Sequence, residues 1–318
     1  MKPPLIILAG PTASGKTELS VKLAKKINGS VISADSMQVY RFMDIGSAKI
    51  KPEEMRGIPH YLIDELLPNE EFNIVIFQKL ARKYIQEIYD AGRIPILTGG
   101  TGFYIQSVLY DINFSKEETS AHIREELEET ARKDGPLALH KQLAMVDEAS
   151  ARAIHPNNIK RTIRALEFFR QNGYPISEHN ASERQKESKY QFAYFVLNDE
   201  RNRLYERIER RVDLMLEQGL LKEVEHLKNM GCHKDMVSMQ GLGYKELLSY
   251  LNGENSLEEA IYILKRDTRR FAKRQLTWFR RERDVIWLNK HDFACDTDAI
   301  LDRMITILQE KGIVHELQ

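Results

Sequence analysis

The octapeptide Gly10-Pro11-Thr12-Ala13-Ser14-Gly15-Lys16-Thr17 lies directly behind the apolar run Leu5-Ile6-Ile7-Leu8-Ala9. The apolar run, the G-x-x-x-x-G-K-T spacing and the helical pattern that follows, roughly Lys16 to Ile27, read as strand, phosphate loop and helix. Glycines let consecutive backbone N–H groups turn toward phosphate oxygens, Lys16 supplies a mobile positive charge, and Thr17 offers a hydroxyl suited to Mg2+. The helix points the positive end of its dipole at the same anion. A chance glycine turn would explain the spacing but not the strand before it and the helix after it. The expected fold is therefore α/β: a P-loop NTPase-like parallel sheet core flanked by helices. Gly10, Thr12, Ala13, Ser14, Gly15, Lys16 and Thr17 form the expected phosphate cradle.

Further along, Ser30-Val31-Ile32-Ser33-Ala34-Asp35 is a short apolar run ending in an acid. Carboxyl ends of parallel strands face the ligand crevice, so Asp35 is the first candidate for chemistry; the alternative is a cap or turn acid. Asp44 to Lys49 reads as an exposed loop, Pro59 to Asp64 as a short strand or turn, and His60 as a structural residue. Apolar positions at helical spacing from Ile74 to Ala91 end at Gly92, and the run Ile94-Pro95-Ile96-Leu97-Thr98 leads into a second glycine loop, Gly99-Gly100-Thr101-Gly102. Many phosphate-loop hydrolases carry a Mg2+-binding acid at such a strand end, and glycines stand here instead, which argues against a motor or switch NTPase. These glycines would let a substrate approach the backbone, with Thr101 offering a hydroxyl; a plain tight turn is the alternative.

From about Asn113 to Lys189 the apolar strands stop, and helical segments are expected around His122 to Lys133, Leu137 to Val146, Glu148 to Ile154 and Ile159 to Gln171. The polar stretch Glu178 to Lys189 then leads back to a core strand, Phe192 to Leu197. The division this implies is a core of 1–112 and 190–318 with C-terminal basic helices, and a helical insertion of 113–189. Lys160, Arg161 and Arg164 cluster at a helix start, a pattern suited to phosphate-backbone contact or to mere solvation. Arg203 to Lys228 reads as one long helix with Arg207 and Arg211 four apart on a shared face. Gln240 to Lys245 makes another glycine turn before a helix. Lys265 to Arg283 holds nine Lys or Arg against two acids, interleaved with Phe271, Trp278 and Phe279. That mixture suits RNA, although the aromatics themselves read mainly as core.

Several of these segments together resemble the tRNA isopentenyltransferase family, the bacterial tRNA dimethylallyltransferases. They are GPTASGKT (10–17), SADSMQVYRFMDIGSAK (33–49), GGTGFY (99–104), HPNNIKRTIRALE (155–167), RIERRV (207–212), QGLGYKE (240–246) and KRQLTWFRR (273–281). The resemblance runs from residue 5 to about residue 290. It implies transfer of a dimethylallyl group from dimethylallyl diphosphate to N6 of adenosine 37 of tRNA, with Mg2+ and release of diphosphate. By the same resemblance Asp35 is the general base, Lys16 and Arg211 grip the diphosphate with Arg207 in support, Thr17 holds the metal, and Thr101 lines the route of the amine. Ser36, Met37 and Gln38 would receive a flipped adenosine. The implied tRNA contacts also include Arg124, Lys160, Arg161, Arg164, Gly241, Gly243, Tyr244, Lys245, Arg274 and Gln275. The family pattern commonly has Gln-Arg where this chain has Lys160-Arg161, which trades a base-edge contact for phosphate attraction. The zinc finger of eukaryotic relatives has no counterpart here.

A small-molecule kinase on the same core would explain Lys16, Thr17 and Asp35 but not the basic helices. An isopentenyltransferase acting on free AMP would need neither the insertion nor those helices. A non-enzymatic RNA-binding GTPase lacks a guanine-reading N-K-x-D string. Lys+Arg and Asp+Glu both number 47, so net charge discriminates nothing and only local charge does. Cys232 and Cys295 form no zinc spacing, and no apolar run approaches the ~18 residues of a membrane span. A cytoplasmic monomer with no membrane association is expected.

Overall fold

The structure, a computed structural model, describes residues 2–114 and 121–314. Met1, residues 115–120 of the expected insertion and residues 315–318 of the expected core lie outside the described residues. The chain divides into two compact units, one of Met1–Leu109 with Lys189–Gln318 and one of Tyr110–Ser188.

In chain order the first unit begins β1 (Pro4–Ala9), α1 (Lys16–Lys26), β2 (Gly29–Ser33), α2 (Pro52–Met55), β3 (His60–Tyr61), α3 (Ile74–Asp90), β4 (Ile94–Gly99) and α4 (Gly102–Leu109). The second unit holds α5 (Ala121–Lys133), α6 (Gly135–Val146), α7 (Glu148–Ala153), α8 (Ile159–Asn172) and α9 (Ile176–Gln185). The first unit resumes with β5 (Gln191–Asn198), α10 (Arg201–Glu217), α11 (Leu220–Asn229), α12 (Tyr244–Leu251), α13 (Leu257–Phe279), β6 (Val285–Asn289) and α14 (Thr297–Glu310).

The six strands form one sheet in the order β3-β2-β4-β1-β5-β6, every neighbouring pair parallel. Leu5 to Ala9 of β1 are fully buried, as a central strand covered on both faces requires. Leu19 and Leu23 of α1 with Met304 and Leu308 of α14 cover one face, packing on Ile6, Leu8, Phe195 and Leu288. The register sets Ala9 opposite both Gly99 and Val196, and Ser33 opposite Thr98. The carboxyl ends of β1, β2, β4 and β5 therefore finish at one edge, and the loops that follow them emerge side by side. The second unit has a core of its own, built from Leu127, Leu139, Leu143, Ile163 and Leu166.

Three local expectations are corrected. Arg203 to Lys228 is not one helix: Gly219 adopts φ +103 between α10 and α11, a conformation that side chains resist, and the chain turns there. The polar stretch from Glu178 is helical as far as Gln185, and Glu183 turns inward there and accepts the backbone N–H of Asn113 at 2.9 Å. Asp44 to Lys49 is not an exposed loop either. Lys49 is buried, its Nζ bonded to the Tyr40 carbonyl at 2.8 Å and to Asp44 and Asp64 at 2.5 Å each. A buried ammonium is tolerated because every donor has an oxygen to meet.

Phe195 fills the centre of the main core with no exposed surface. Phe195→Ala should lower the unfolding free energy by about 3–5 kcal/mol, measured by chemical denaturation, from lost apolar transfer plus the cavity left behind.

Candidate active site

The loop from Gly10 to Thr17 leaves β1 and enters α1, whose first residue is Lys16. Gly15 forms the N-cap in a left-handed conformation and no side chain caps the helix. Its leading amides are thus left to an external acceptor, and an anion is the acceptor that the helix end favours. Ser14 Oγ, fully buried in the same loop, meets no hydrogen-bond partner among the described residues. The loop is tied to its neighbour by one amide: Gln275 of α13 accepts from Thr12 N at 2.9 Å and donates to the Gly100 carbonyl at 3.0 Å.

Two adjoining cavities open beside this loop. The smaller, about 100 Å³, is walled by Thr12, Lys16, Thr17, Asp35, Gln38 and Arg211. The larger, about 310 Å³, shares Thr12, Asp35 and Arg211 with it and continues past Ser36, Met37 and Thr101. One wall of the larger cavity is apolar, formed by Ile208, Val212, Met215, Leu220 and Leu264. A third cleft, about 340 Å³, lies over Gly15 and Thr17 and is lined by Arg207, Arg210 and Arg211.

Charge is concentrated here. Burial and the Arg211 guanidinium pull the Lys16 ammonium down to about 7, against the opposing pull of Asp35. Burial likewise lowers Arg211, with Asp35 acting to hold the proton and Arg207 to release it. Lys290, immediately after β6, is lowered by burial and by Arg207. Its Nζ comes within 3.1 Å of the point where a Cβ on Gly15 would sit. Cations desolvated against one another are unfavourable alone and are relieved by a multiply charged anion among them. Asp35 is the one acid lining either of the two adjoining cavities among the described residues. One of its oxygens accepts from Met37 N at 2.8 Å, which fixes the carboxylate just beyond β2.

The residues expected from sequence fall into three groups. The Gly10 to Thr17 loop, Asp35, Ser36, Met37, Gln38, Thr101, Arg207, Arg211, Gly241, Gly243, Lys245 and Arg274 gather at the carboxyl edge of the sheet around the three cavities. Among the expected tRNA contacts, Gln275 lines the smaller cavity while it bonds both glycine loops, and Tyr244 is fully buried with its hydroxyl donated to Glu223 at 2.7 Å. Arg124, Lys160, Arg161 and Arg164 belong to the second unit. There Lys160 and Arg161 are exposed on the first turn of α8, Arg164 is half-buried one turn on, and Arg124 faces Glu128 at 3.6 Å.

The second glycine loop is corrected in its reason. A Cβ on Gly100 would strike Gln275 at 2.1 Å and one on Gly102 would strike the Trp278 ring at 2.2 Å, so α13 packs against these glycines, while Gly100 also lines the smaller cavity. Sequence reasoning passed over Lys290 and Arg210. Lys290 follows a parallel strand directly, and the strand-end rule that singled out Asp35 would have found it.

The fold and this site define an open parallel α/β protein with a glycine-rich loop and a cluster of cations at one sheet edge. The chain belongs to the IPP transferase family, whose model matches residues 38–282. It is 60% identical over 311 residues to a tRNA dimethylallyltransferase of Lachnoclostridium phytofermentans, covering 98% of this chain and 99% of the relative. The crystal structure of the full-length tRNA isopentenylpyrophosphate transferase from Bacillus halodurans is 46% identical, covers 98% of each chain and superposes with a TM-score of 0.73. A eukaryotic dimethylallyltransferase acting on tRNA, 28% identical, superposes with a TM-score of 0.83 over 99% of this chain and 81% of its own.

The lowered Lys16 gives a pH signature. Free Lys16 titrates near 7, and an anion beside it raises that value, so binding takes up a proton above neutrality. Affinity for sulfate, which does not itself titrate in this range, should be greatest below about pH 7 and fall by up to about tenfold per unit above it. Calorimetry across that range reads the slope, and Lys16→Arg should flatten it.

Proposed function

We propose that this chain transfers a dimethylallyl group from dimethylallyl diphosphate to the exocyclic N6 of adenosine 37 in tRNA, releasing diphosphate. One observation carries the reading: Lys16 and Arg211 converge with a single carboxylate, Asp35, on a small polar cavity that adjoins a larger one with an apolar wall. A diphosphate matches the cations, a five-carbon apolar group the wall, and an amine the carboxylate. The names of the relatives agree with that chemistry.

In this mechanism Lys16 and Arg211, supported by Arg207 and Lys290, hold the diphosphate, while Ser14 Oγ and the leading amides of α1 donate to its oxygens. The adenine amine enters from the side of Asp35 and Thr101. Its lone pair is delocalised into the ring, so alignment with the allylic carbon contributes more than basicity. The N6–C bond forms as the C–O bond to diphosphate breaks. The bonding pair leaves with the diphosphate, whose developing charge the same cations neutralise. The N6 proton passes to the Asp35 oxygen not engaged by Met37 N.

Mg2+ fits the residues present. The Thr17 hydroxyl lines the same cavity as Lys16 and Asp35, and no group of three His, Cys, Asp or Glu among the described residues could form a metal cage. Mg2+ characteristically takes one or two protein ligands and completes its shell with phosphate oxygens and water. Thr17 with the diphosphate would hold it, and the ion would supply additional charge neutralisation on the leaving group. No helix of the described residues is long and apolar enough to cross a membrane. For the tRNA, the exposed Lys160 and Arg161 with Arg164 on α8 offer contacts to phosphates.

Incubation with dimethylallyl diphosphate, Mg2+ and unmodified tRNA should yield tRNA carrying one prenylated adenosine, located by mass mapping. Product from free AMP but not from tRNA would overturn the assignment. Asp35→Ala should lower kcat by about 10²–10⁴-fold while leaving tRNA affinity near wild type. Neutralising Lys160, Arg161 and Arg164 together should weaken tRNA binding and reduce the slope of log K against log salt by about two. An unchanged slope would put the phosphate contacts elsewhere.

A further inference from the structure

Outside the cation cluster just described, a polar cluster of the first unit centres on Glu223 in α11. Its carboxylate accepts three consecutive backbone N–H groups: Asp44 N at 3.0 Å and Ile45 N at 2.8 Å on one oxygen, and Gly46 N at 3.0 Å on the other. The second oxygen also accepts the hydroxyl of Tyr244 at 2.7 Å, and that hydroxyl in turn accepts Ser47 N at 3.2 Å. Four successive amides of one turn are thereby gathered by two side chains that are remote in sequence. Tyr244 is fully buried, and burial together with Glu223 holds its hydroxyl proton well above the ordinary tyrosine range, so it remains the donor of the pair. Gly46 is bare because a Cβ there would lie 2.6 Å from the Tyr244 ring.

The turn is part of the cavity wall. Gly46 and Ser47 line the larger cavity, and Ser47 and Ala48 the smaller. The carbonyls of Ser47 and Ala48 accept the Gln38 amide at 3.3 and 3.4 Å, while Gln38 Oε1 accepts Ser33 Oγ at 2.8 Å. Gln38 is held on both sides, three residues beyond Asp35 and in the same cavity. Moving the turn moves the acceptors that orient Gln38, and with them part of the wall of both cavities. The Gly10 to Thr17 loop is anchored separately through Gln275.

We propose that Glu223 is a positioning residue for the amine-accepting side of the site, acting through the Asp44 to Ser47 turn with Tyr244 as its second contact. This rests on the prenyl-transfer reading above. A carboxylate suits the task because it accepts on every side of two oxygens and meets the partial positive charge of clustered amides. A carboxamide of equal size would bring one acceptor and one NH2 group that faces donors.

The test is steady-state kinetics of wild type, Glu223→Gln, Tyr244→Phe and the double variant, with each substrate varied in turn. Glu223→Gln should lower kcat/KM for tRNA by about tenfold or more while KM for dimethylallyl diphosphate stays within about twofold of wild type. Glu223→Asp should recover part of the loss. The double variant should lose little more than the worse single variant, because both side chains act on one turn. Amide hydrogen exchange should show residues 44–47 deprotected in Glu223→Gln and the 10–17 loop unchanged. A merely structural role would instead leave both KM values unchanged and lower kcat only in proportion to the folded fraction read by circular dichroism, and that result, or an unchanged kcat/KM for tRNA, would overturn the proposal. A wild-type protein that prenylates no tRNA would overturn the functional reading and this inference with it.

Discussion

Everything at the site depends on the parallel pairing of β1 with β4 and β5. Pairing Ala9 with Gly99 on one side and Val196 on the other ends three strands at the same level. Pairing Ser33 with Thr98 adds β2. Parallel strands need crossovers, so each strand delivers a fresh loop to that one edge instead of turning back on itself. The Gly10 to Thr17 loop, Asp35, the Gly99 to Gly102 loop and Lys290 after β6 are all products of this arrangement. Their proximity owes nothing to their spacing along the chain.

The second constraint is the unfavourable crowding of cations that this edge produces. Lys16 and Arg211 are both lowered by burial, and Arg207 adds to the burden on Arg211. A folded protein retains such a cluster when something else depends on it, because each charge removed from water is costly without a partner. Asp35 offsets part of the cost, and the architecture supplies rigidity elsewhere. The Gln275 amide fastens the first glycine loop to the second, and Glu223 with Tyr244 fastens the 44–47 turn. The donors and acceptors that face the cavities are therefore set by bonds made behind them.

Much of this was legible in the chain alone. The strand–loop–helix at the N-terminus, Asp35 at a strand end, the glycine turn before α12 and the pair Arg207 and Arg211 all follow from local rules of periodicity and turn chemistry. The misreadings have a common cause. Arg203 to Lys228 keeps its helical periodicity through Gly219, and the break appears only in the fold, where Gly219 turns left-handed and α11 sets off to meet the 44–47 turn. Gly102 looks like room for a substrate until Trp278 of α13 is seen against it. Lys49 looks like a solvated lysine until Asp64 is seen beside it.

What the sequence determined by itself is the chemistry available: a phosphate loop, one acid at a strand end, arginines at helical spacing, and a basic helical segment. These are properties of neighbouring residues, and neighbours along a chain interact whatever the rest does. Which of those groups face one cavity, which are spent on holding the chain together, and how far their charges are displaced from their ordinary state were decided by tertiary structure. Burial, register and contacts between residues some 180 positions apart, such as Glu223 with Asp44, exist only once the sheet has assembled. That is why Tyr244, a tRNA contact by resemblance, is an internal brace in the fold.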